Sequence, residues 1–223
     1  MTDTLGRVVI VTAVFGGRDI PRTVPRIDVD DCVIFTDRIV KAKGWRVNQV
    51  SKPANFRREA RRIKTLALDL IQADTILWID GRVTVRDRPL RSLLELALAE
   101  SEIAAYPHPW RDCAYDEARE CARLGRAPAP ALAKQTAAYR AAGLPEHWGL
   151  RNTMVLARRN TEAMRQLGRD WWHEIETHTI RDQISLPFLL WRGGINCPTI
   201  GPDLYSPGGK TNFVRGRHVR RMP

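Results

Sequence analysis

The chain has 223 residues and a mass of 25.4 kDa, a size that fits one sizeable domain and needs no disulfide or metal to fold. Its net charge of +11 and its pI near 10.1 favour acidic partners, namely nucleotides, phosphates, nucleic acid or anionic lipid. The four cysteines include no Cys-x-x-Cys pair, which argues against a zinc ribbon or a disulfide framework and indicates a reducing compartment. No apolar stretch approaches the roughly eighteen residues of a transmembrane helix.

The first predicted element is a buried β-strand over residues 7–14, which are rich in β-branched side chains. Only one basic residue precedes the apolar run, and Phe15-Gly16-Gly17 follows it in place of a small-residue cleavage site. We therefore interpret the run as a strand rather than a signal peptide, and we expect a cytoplasmic protein. The glycine pair turns the chain sharply, as at many nucleotide sites, although neither Gly-x-Gly-x-x-Gly nor a Walker lysine is present.

Two further apolar runs, residues 32–37 and 75–80, each end in an aspartate. They predict central strands of a sheet that is covered on both faces, and residues 45–50 predict a short strand between them. Because ligands of open α/β sheets bind outside the carboxyl ends of the strands, Asp37 and Asp80 predict a shared crevice. Each aspartate is also a common turn former, and the sequence leaves that alternative open.

A helix is predicted from Phe56 to Asp74, because apolar residues recur there at alternating spacings of four and three. One flank of this helix carries three cations, Arg57, Arg61 and Lys64. Such a row suits a diphosphate, to which arginine makes bidentate contacts. The alternative is a solvated basic face.

The middle of the chain places further polar groups on predicted elements. A strand predicted over residues 103–106 runs into a proline-fixed loop that holds His108 and Arg111. Glu117 lies on the helix predicted next. A link rich in alanine and proline, residues 126–133, then precedes a short helix.

The last third of the chain contains a predicted strand over residues 152–157 and an aromatic-rich helix over residues 161–177. A further helix opens at Asp182, whose carboxylate near the helix N-terminus can simply favour the helix dipole. We predict one domain over residues 1–206 and a basic tail over residues 207–223.

The order of these motifs resembles the glycosyltransferase-like family that includes plant mucilage hexosyltransferase-like proteins, once an uncharacterised domain with some members labelled alkaline ceramidase. The matching blocks cover most of residues 8–192 and are Phe15-Gly16, Phe35-Thr36-Asp37, Ile63-Lys64, Trp78-Ile79-Asp80-Gly81, Arg111-Asp112, Asp116-Glu117-Ala118 and Arg181-Asp182-Gln183-Ile184-Ser185. The resemblance implies an α/β fold, a single Rossmann-like nucleotide-sugar transferase domain of the GT-A-like type with a mixed central sheet flanked by helices.

The resemblance also implies roles for individual residues. The implied nucleotide-binding residues are Phe15, Gly16 and Asp37 at the nucleoside and Lys64 at the diphosphate. The implied catalytic residues, which face the transferred sugar or the acceptor, are Asp182 and Gln183. The implied acceptor-side residues are His108, Arg111 and Glu117. A carboxylate at Asp182 or Glu117 could serve as the general base for the acceptor hydroxyl.

Asp80 takes the place of the metal-binding acidic motif of such transferases. Their usual Asp-x-Asp is here Asp80-Gly81-Arg82, so one metal ligand is missing and a requirement for Mn²⁺ or Mg²⁺ is an open question. A departing nucleoside diphosphate accumulates negative charge, which either a divalent ion or cationic side chains must stabilise. The metal alternative takes its second ligand from His218 in the tail. In the metal-free alternative the cations are Arg61, Lys64 and Arg82.

We therefore predict a glycosyltransferase, more narrowly a hexosyltransferase of polysaccharide biosynthesis, that moves a sugar from a UDP- or GDP-type donor to a carbohydrate, lipid-linked or small acceptor. The high pI raises a nucleic-acid-binding module as the alternative, but no helix-turn-helix, zinc finger or RNA-binding aromatic motif is present. A lipid amide hydrolase ranks last, because the sequence has neither a Gly-x-Ser-x-Gly elbow nor a zinc-ligand cluster. The basic tail is suited to peripheral contact with anionic membrane lipids.

Overall fold

The computed structural model of the chain describes residues 4–17, 19, 23–201 and 212–216. The strands of this part are β1 (Val8–Val14), β2 (Asp31–Thr36), β3 (Arg46–Gln49), β4 (Thr75–Ile79), β5 (Val83–Val85), β6 (Ile103–Pro107), β7 (Arg151–Arg159) and β8 (Phe213–Arg215). The helices are α1 (Phe56–Thr65), α2 (Ala67–Leu70), α3 (Arg91–Ala97), α4 (Ala114–Arg123), α5 (Ala129–Ala141), α6 (Glu162–Thr177) and α7 (Asp182–Arg192).

Six strands form one sheet in the order β3-β2-β1-β4-β7-β6. β1 pairs in parallel with β2 and β4, and β2 pairs in parallel with β3, whereas β7 runs antiparallel to both of its neighbours, β4 and β6. The predicted α/β fold with a mixed central sheet flanked by helices is therefore confirmed. The carboxyl ends of β1, β2, β4 and β6 meet at one end of the sheet, together with the first residues of β7. We call this the carboxyl end of the sheet.

Both faces of the central strands are covered, because side chains alternate along each strand. In β1, Val9 and Val11 belong to a hydrophobic cluster that also includes residues of α1, α2 and α4 to α7. Val8 and Ile10 belong to a second cluster, which includes residues of α3 and of the two-stranded sheet formed by β5 and β8. This double coverage explains why the strands are continuous apolar runs in the sequence.

Within the described ranges, every helix is too short or too polar to cross a lipid bilayer. The four cysteines are all buried, and none of them forms a disulfide. The cysteine spacing predicted this lack of a disulfide framework.

Two helical predictions require correction. The predicted link over residues 126–133 is wrong from Ala129 onward, where α5 begins. Pro130 lies in the first turn of α5, where its missing N–H breaks no intrahelical hydrogen bond. The helix predicted from Phe56 is interrupted at Leu66, and α2 follows as a separate short turn.

β5 and β8 were not predicted, and their pairing bears on the predicted tail. Residues 213–215 lie within the segment 207–223, yet they pair antiparallel with β5. Phe213 is only 1% exposed and lies edge-on to the ring of Tyr106, with 6.4 Å between the ring centroids. This part of the segment is therefore attached to the domain instead of being solvated. The domain boundary at residue 206 stays a prediction.

The C-terminus of α1 packs closely against β7 and α6. The guanidinium of Arg158, buried on β7, donates hydrogen bonds to the carbonyl oxygens of Lys64 at 2.5 Å and Thr65 at 2.9 Å. Gly168 of α6 faces the same Thr65 carbonyl, and a Cβ atom at this position would collide with it. These contacts fix the position from which the Lys64 side chain extends.

We expect Gly168→Ala to lower the free energy of unfolding by about 1–3 kcal/mol, because the added methyl group overpacks the contact between α6 and α1. Urea unfolding measures the change. Gln166→Ala, on the exposed side of the same helix, is the matched control and is expected to stay within about 0.5 kcal/mol of wild type. Equal effects of the two substitutions would contradict the close contact.

Candidate active site

A cavity of about 760 Å³ opens at the carboxyl end of the sheet. Its walls come from the ends of β1 and β4, the start of β7, the first turns of α1, the start of α7 and the loop after β6. The charged residues that line it include the arginines Arg57, Arg61, Arg82, Arg126, Arg181 and Arg215 and the carboxylates Asp19, Asp80 and Asp182. Arg57 and Arg126 form no salt bridge with any residue that the structure describes. The excess of guanidinium groups suits an anionic ligand.

Four residues beside the cavity form what we call the buried charge cluster: Arg61, Lys64, Asp80 and Asp182. The Nζ atom of Lys64 lies 2.6 Å from Oδ2 of Asp182 and 3.4 Å from Oδ1 of Asp80. Arg61 Nε lies 3.1 Å from the other Asp182 oxygen, Oδ1. Arg61, Asp80 and Asp182 line the cavity, whereas Lys64 is fully buried and does not.

Several elements hold Asp182 in place. As the first residue of α7, it lies where the helix dipole favours a negative charge. Thr153, near the start of β7, donates its hydroxyl to Asp182 Oδ2 at 2.8 Å. The indole N–H of the buried Trp171 on α6 donates to the Asp182 carbonyl at 3.2 Å and to the Ser185 hydroxyl at 3.0 Å. β7, α6 and α7 thus fix the carboxylate jointly.

The cations of the cluster determine the charge state of both carboxylates. Burial alone would raise the pKa of Asp182, but Arg61 and Lys64 outweigh that effect and hold the pKa well below its ordinary value. Burial would likewise raise the pKa of Asp80, but Lys64 and Arg61 outweigh this effect and lower it. Both groups are therefore ionised at neutral pH. Because a carboxylate with so low a pKa is a weak base, the electrostatics do not favour Asp182 as the general base.

The lowered pKa of Asp182 predicts how stability depends on pH. Its ion pairs stabilise the fold fully above the unfolded-state pKa of about 3.9, and this contribution is lost as the pH falls toward the lower folded-state value. We expect the difference in unfolding free energy between wild type and Asp182→Asn to be constant from about pH 7 to about pH 5 and to shrink below about pH 4. Urea unfolding at each pH measures it. A difference that already shrinks near neutral pH would contradict the assignment.

Asp80 lies at the end of β4, where cations surround it. Its Oδ1 accepts a hydrogen bond from the indole N–H of Trp78 at 2.9 Å, in addition to the contact with Lys64. A Cβ atom on Gly81 would collide with Val14, so glycine lets the end of β4 lie close to the end of β1. The turn after Asp80 therefore requires a residue without a side chain.

Asp80 contacts Lys64 and Trp78, and the positive charges of Lys64 and Arg61 at its carboxylate oppose the binding of a cation there. The described residues contain one group of three His, Cys, Asp or Glu side chains with ligand atoms within 4.8 Å of one another. That group is Cys113, Asp116 and His147, and none of the three lines the cavity. His218, the predicted second ligand, lies outside the described residues. A requirement for Mn²⁺ or Mg²⁺ stays a prediction.

A second charged group lies on the β6 side of the cavity, around the fully buried Glu117 of α4. Its Oε2 lies 2.7 Å from Arg111 Nε and 3.7 Å from His108 Nε2, and its Oε1 lies 3.5 Å from an Arg181 nitrogen. The Sγ–H of Cys121 also donates to Oε1, at 3.3 Å. Glu117 therefore holds two arginines, which leaves it poorly placed to accept a proton from a substrate.

His108 is held in a neutral form by its surroundings. Burial lowers the pKa of His108, Glu117 opposes this, and Arg111, Arg126 and Arg181 lower it further. Its Nδ1 accepts the backbone N–H of Arg111 at 3.2 Å, which assigns the ring proton to Nε2, facing Glu117.

The structure brings some of the predicted site residues to the cavity and leaves others behind its walls. Those that line it are Phe15, Arg61, Asp80, Arg82, His108, Asp182 and Gln183. Those that do not line it are Gly16, Asp37, Lys64, Arg111 and Glu117. Asp37 accepts the backbone N–H of Gly16 at 2.9 Å and so fixes the glycine turn after β1. The functional roles of all these residues stay predictions.

Sequence reasoning did not select several residues that line the cavity. They are Asp19, Phe56, Trp110, Arg126, Asn152, Thr153, Met154, Ile180, Arg181 and Arg215. Arg181 directly precedes Asp182 in one of the motifs, which is a signal that could have pointed to it. The start of β7 carries no such signal, because only its antiparallel direction brings that end to the cavity.

Comparison with known proteins is consistent with this geometry. A family model described as "TOD1/MUCI70, glycosyltransferase-like domain" matches residues 27–197, which is more than half of the chain. The match runs from before β2 to after α7 and includes all four residues of the buried charge cluster. No curated protein matches the chain. The resemblance noted in the sequence is confirmed, and the chain belongs to the TOD1/MUCI70 glycosyltransferase-like domain family.

Proposed function

We propose that this protein is a glycosyltransferase that binds a nucleoside diphosphate sugar in the cavity and transfers the sugar to a carbohydrate, lipid-linked or small acceptor. The observation that carries the proposal is the pair of arginines on α1, Arg57 and Arg61, which line the cavity together with Asp80 at the end of β4. The family supports a transferase in general terms. The hexose, the donor base, the acceptor, the cytoplasmic location and a role in polysaccharide biosynthesis are parts of the proposal.

The nucleoside is proposed to lie on the β1 side of the cavity. Phe15 and Phe56 line the cavity there, and we assign their rings to contact with the base. Gly16 has a φ of +67°, and a Cβ atom on it would collide with the ring of Phe56. Asp37 holds this turn through the Gly16 N–H. The turn therefore keeps the two aromatic rings in place, which gives Gly16 and Asp37 an indirect part in binding.

The diphosphate is proposed to lie beside Arg57, Arg61 and Arg82. During transfer the acceptor hydroxyl oxygen bonds to the anomeric carbon, the bond from that carbon to the diphosphate oxygen breaks, and the hydroxyl proton passes to the departing diphosphate or to water. The leaving diphosphate keeps the electron pair, so its negative charge rises in the transition state. Guanidinium groups that are already in place stabilise this charge without reorganising, as electrostatic catalysis requires.

Asp182 and Gln183 are proposed to face the transferred sugar. Since the pKa of Asp182 is held low, we assign it the role of orienting Arg61, whose Nε it holds at 3.1 Å. Lys64 lies behind the cavity wall and pairs with both Asp182 and Asp80, so we assign it the role of holding Asp182 in the position that orients Arg61. Lys64 thus supports the diphosphate site without contacting the diphosphate.

A thermal-shift titration tests the proposed function. UDP, GDP and their sugars are added to the full chain with and without Mn²⁺, and the midpoint of unfolding is recorded. We expect at least one of these nucleotides to raise the midpoint, since a ligand at a hundred times its Kd stabilises the folded state by about 2.7 kcal/mol. A large further rise with Mn²⁺ would support a metal bound through the diphosphate.

The control for the titration is a pair of α1 variants. In Arg57→Gln/Arg61→Gln the shift is expected to disappear, whereas in Arg62→Gln it is expected to remain. Arg62 is a suitable control because it pairs with Glu59 at 2.6 Å on the same helix and does not line the cavity. No shift with any nucleotide, or an equal shift in both variants, would count against the proposal.

A further inference from the structure

We propose that the β6 side of the cavity is an acceptor subsite for a sugar that carries a carboxylate or a phosphate, formed by Trp110, Arg126 and Arg181. This inference rests on the proposed function, because it names the class of acceptor for the same cavity. It adds a charge requirement for the acceptor and two side chains, Trp110 and Arg126, that the family motifs in the sequence do not include.

Positive charge on this side exceeds what the protein neutralises. Arg111 and Arg181 share the buried carboxylate of Glu117, and Glu120, which also interacts electrostatically with Arg111 and Arg126, is paired with Arg123. Arg126 is exposed, lines the cavity and forms no salt bridge with the described residues. His108 adds no charge that would need a partner, because it is neutral. The arrangement leaves guanidinium charge that a ligand anion can neutralise.

Arg181 also retains hydrogen-bonding capacity. Its contacts with Glu117 and Gln183 both use the same terminal nitrogen and are long, at 3.5 and 3.4 Å. Its Nε atom is buried and has no hydrogen-bond partner among the described residues. A buried donor without a partner is unfavourable, so a small movement toward a ligand oxygen would satisfy it.

This subsite lies apart from the part of the cavity that is proposed to bind the donor nucleotide. Phe15 and Arg57 lie at the end of β1 and on α1, whereas His108 and Trp110 follow β6. In the sheet, β4 and β7 separate β1 from β6. Three strand spacings correspond to roughly 14 Å, which is enough to separate the charge of a donor diphosphate from that of an acceptor. Arg57 is thus assigned to the donor diphosphate and Arg126 to the charged group of the acceptor.

Trp110 provides the surface for the sugar ring. Its side chain is 65% exposed at the cavity, an uncommon position for the largest apolar side chain. It follows Pro109 and lies edge-on to His108, with 5.8 Å between the ring centroids. Pro107 and Pro109 restrict the loop backbone. A fixed, exposed indole beside guanidinium groups matches a ligand that has both an apolar ring face and a negative charge.

The test measures saccharide binding by isothermal titration to the full chain, with and without saturating UDP. The probes are a hexuronic acid disaccharide, the neutral hexose disaccharide of the same linkage, and a hexose 6-phosphate. We expect at least one charged probe to bind about tenfold or more tightly than the neutral one. The two charged probes distinguish a carboxylate from a phosphate.

Three variants locate the effect. Arg126→Gln is expected to remove the advantage of the charged probe and leave UDP binding unchanged, and Trp110→Ala is expected to weaken charged and neutral probes alike. Arg123→Gln is the control, because Arg123 pairs with Glu120 on the surface of α4. Equal binding of charged and neutral probes, no binding of any probe, or a loss of UDP binding in Arg126→Gln would overturn the subsite. Lack of UDP binding by wild type would instead refute the donor proposal, and the titrations without UDP would still decide the subsite.

Discussion

Lys64→Met is expected to lower the free energy of unfolding by about 3–5 kcal/mol, the cost of removing one partner from a buried ion pair. Lys64 is 0% exposed, and its ammonium group lies 2.6 Å from Asp182 and 3.4 Å from Asp80. Without it, two neighbouring carboxylates at the cavity wall are left with Arg61 as their remaining cation in the buried charge cluster. Methionine is similar in length to lysine, so the loss reports mainly on charge. Urea unfolding at neutral pH measures it.

Two further variants make this prediction specific. Lys134→Met, on the exposed face of α5, is expected to change stability by no more than about 0.5 kcal/mol. The double variant Lys64→Met/Asp182→Asn is expected to lose less unfolding free energy than the two single variants lose together, because it removes both charges of one pair. A Lys64→Met variant with wild-type stability but no nucleotide binding would instead place Lys64 at the diphosphate, as the family resemblance implied.

Arg61→Gln is expected to slow sugar transfer by about 10²- to 10³-fold, the usual effect of removing one donor that stabilises charge in the transition state. Arg61 is the one arginine that lines the cavity and also belongs to the buried charge cluster. Asp182 keeps its contacts with Lys64 and Thr153 in this variant, so the fold is expected to survive. The effect on UDP binding is expected to be smaller than the effect on the rate, because the charge on the diphosphate rises as the sugar departs.

The rate is measured with whichever donor raises the unfolding midpoint most, after urea unfolding has shown that the variant is folded. Arg62→Gln serves again as the control on the same helix, and we expect it to retain wild-type turnover. Equal turnover of Arg61→Gln and Arg62→Gln would mean that Arg61 does not stabilise the leaving group. Equal losses of rate and of UDP affinity in Arg61→Gln would assign it to ground-state binding.

The central strands and the place of Asp80 could be predicted from the sequence. A strand covered on both faces is mostly apolar, and the charged Asp80 follows β4 at the point where that strand ends. The functional importance of the motif that contains Asp182 was implied by the resemblance. The partners of Asp182 were not, since Thr153 reaches Asp182 only because β7 runs antiparallel beside β4. The residues of a strand do not show whether it will run parallel or antiparallel to its neighbour.

The environment of Lys64 could not be predicted for a related reason. Arg57, Arg61 and Lys64 form one row on a helical wheel, but a wheel does not show how deep each side chain lies. Arg158 and Gly168 draw the end of α1 toward β7 and α6, so that the last cation of the row is buried while the first is exposed. Contacts between residues far apart in the sequence thus leave Arg57 on the surface and bury Lys64.

The short sheet of β5 and β8 shows the same limit. Each strand has three residues, and the register joins Val83 to Arg215 across more than half of the chain. Neither segment is long enough to show a strand period, and the basic residues around Phe213 are typical of a solvated tail. The pairing of β8 with β5 and the burial of Phe213 against Tyr106 identify this part of the tail as attached to the domain.

A crystal structure of the full chain with the best-binding nucleotide and Mn²⁺ tests the central claim most directly. We predict that the diphosphate lies in the cavity beside Arg57 and Arg61, with the nucleoside against Phe15 and with Lys64 still paired with Asp182 behind the wall. A nucleotide bound outside the cavity, or a diphosphate that contacts neither Arg57 nor Arg61, would contradict the account.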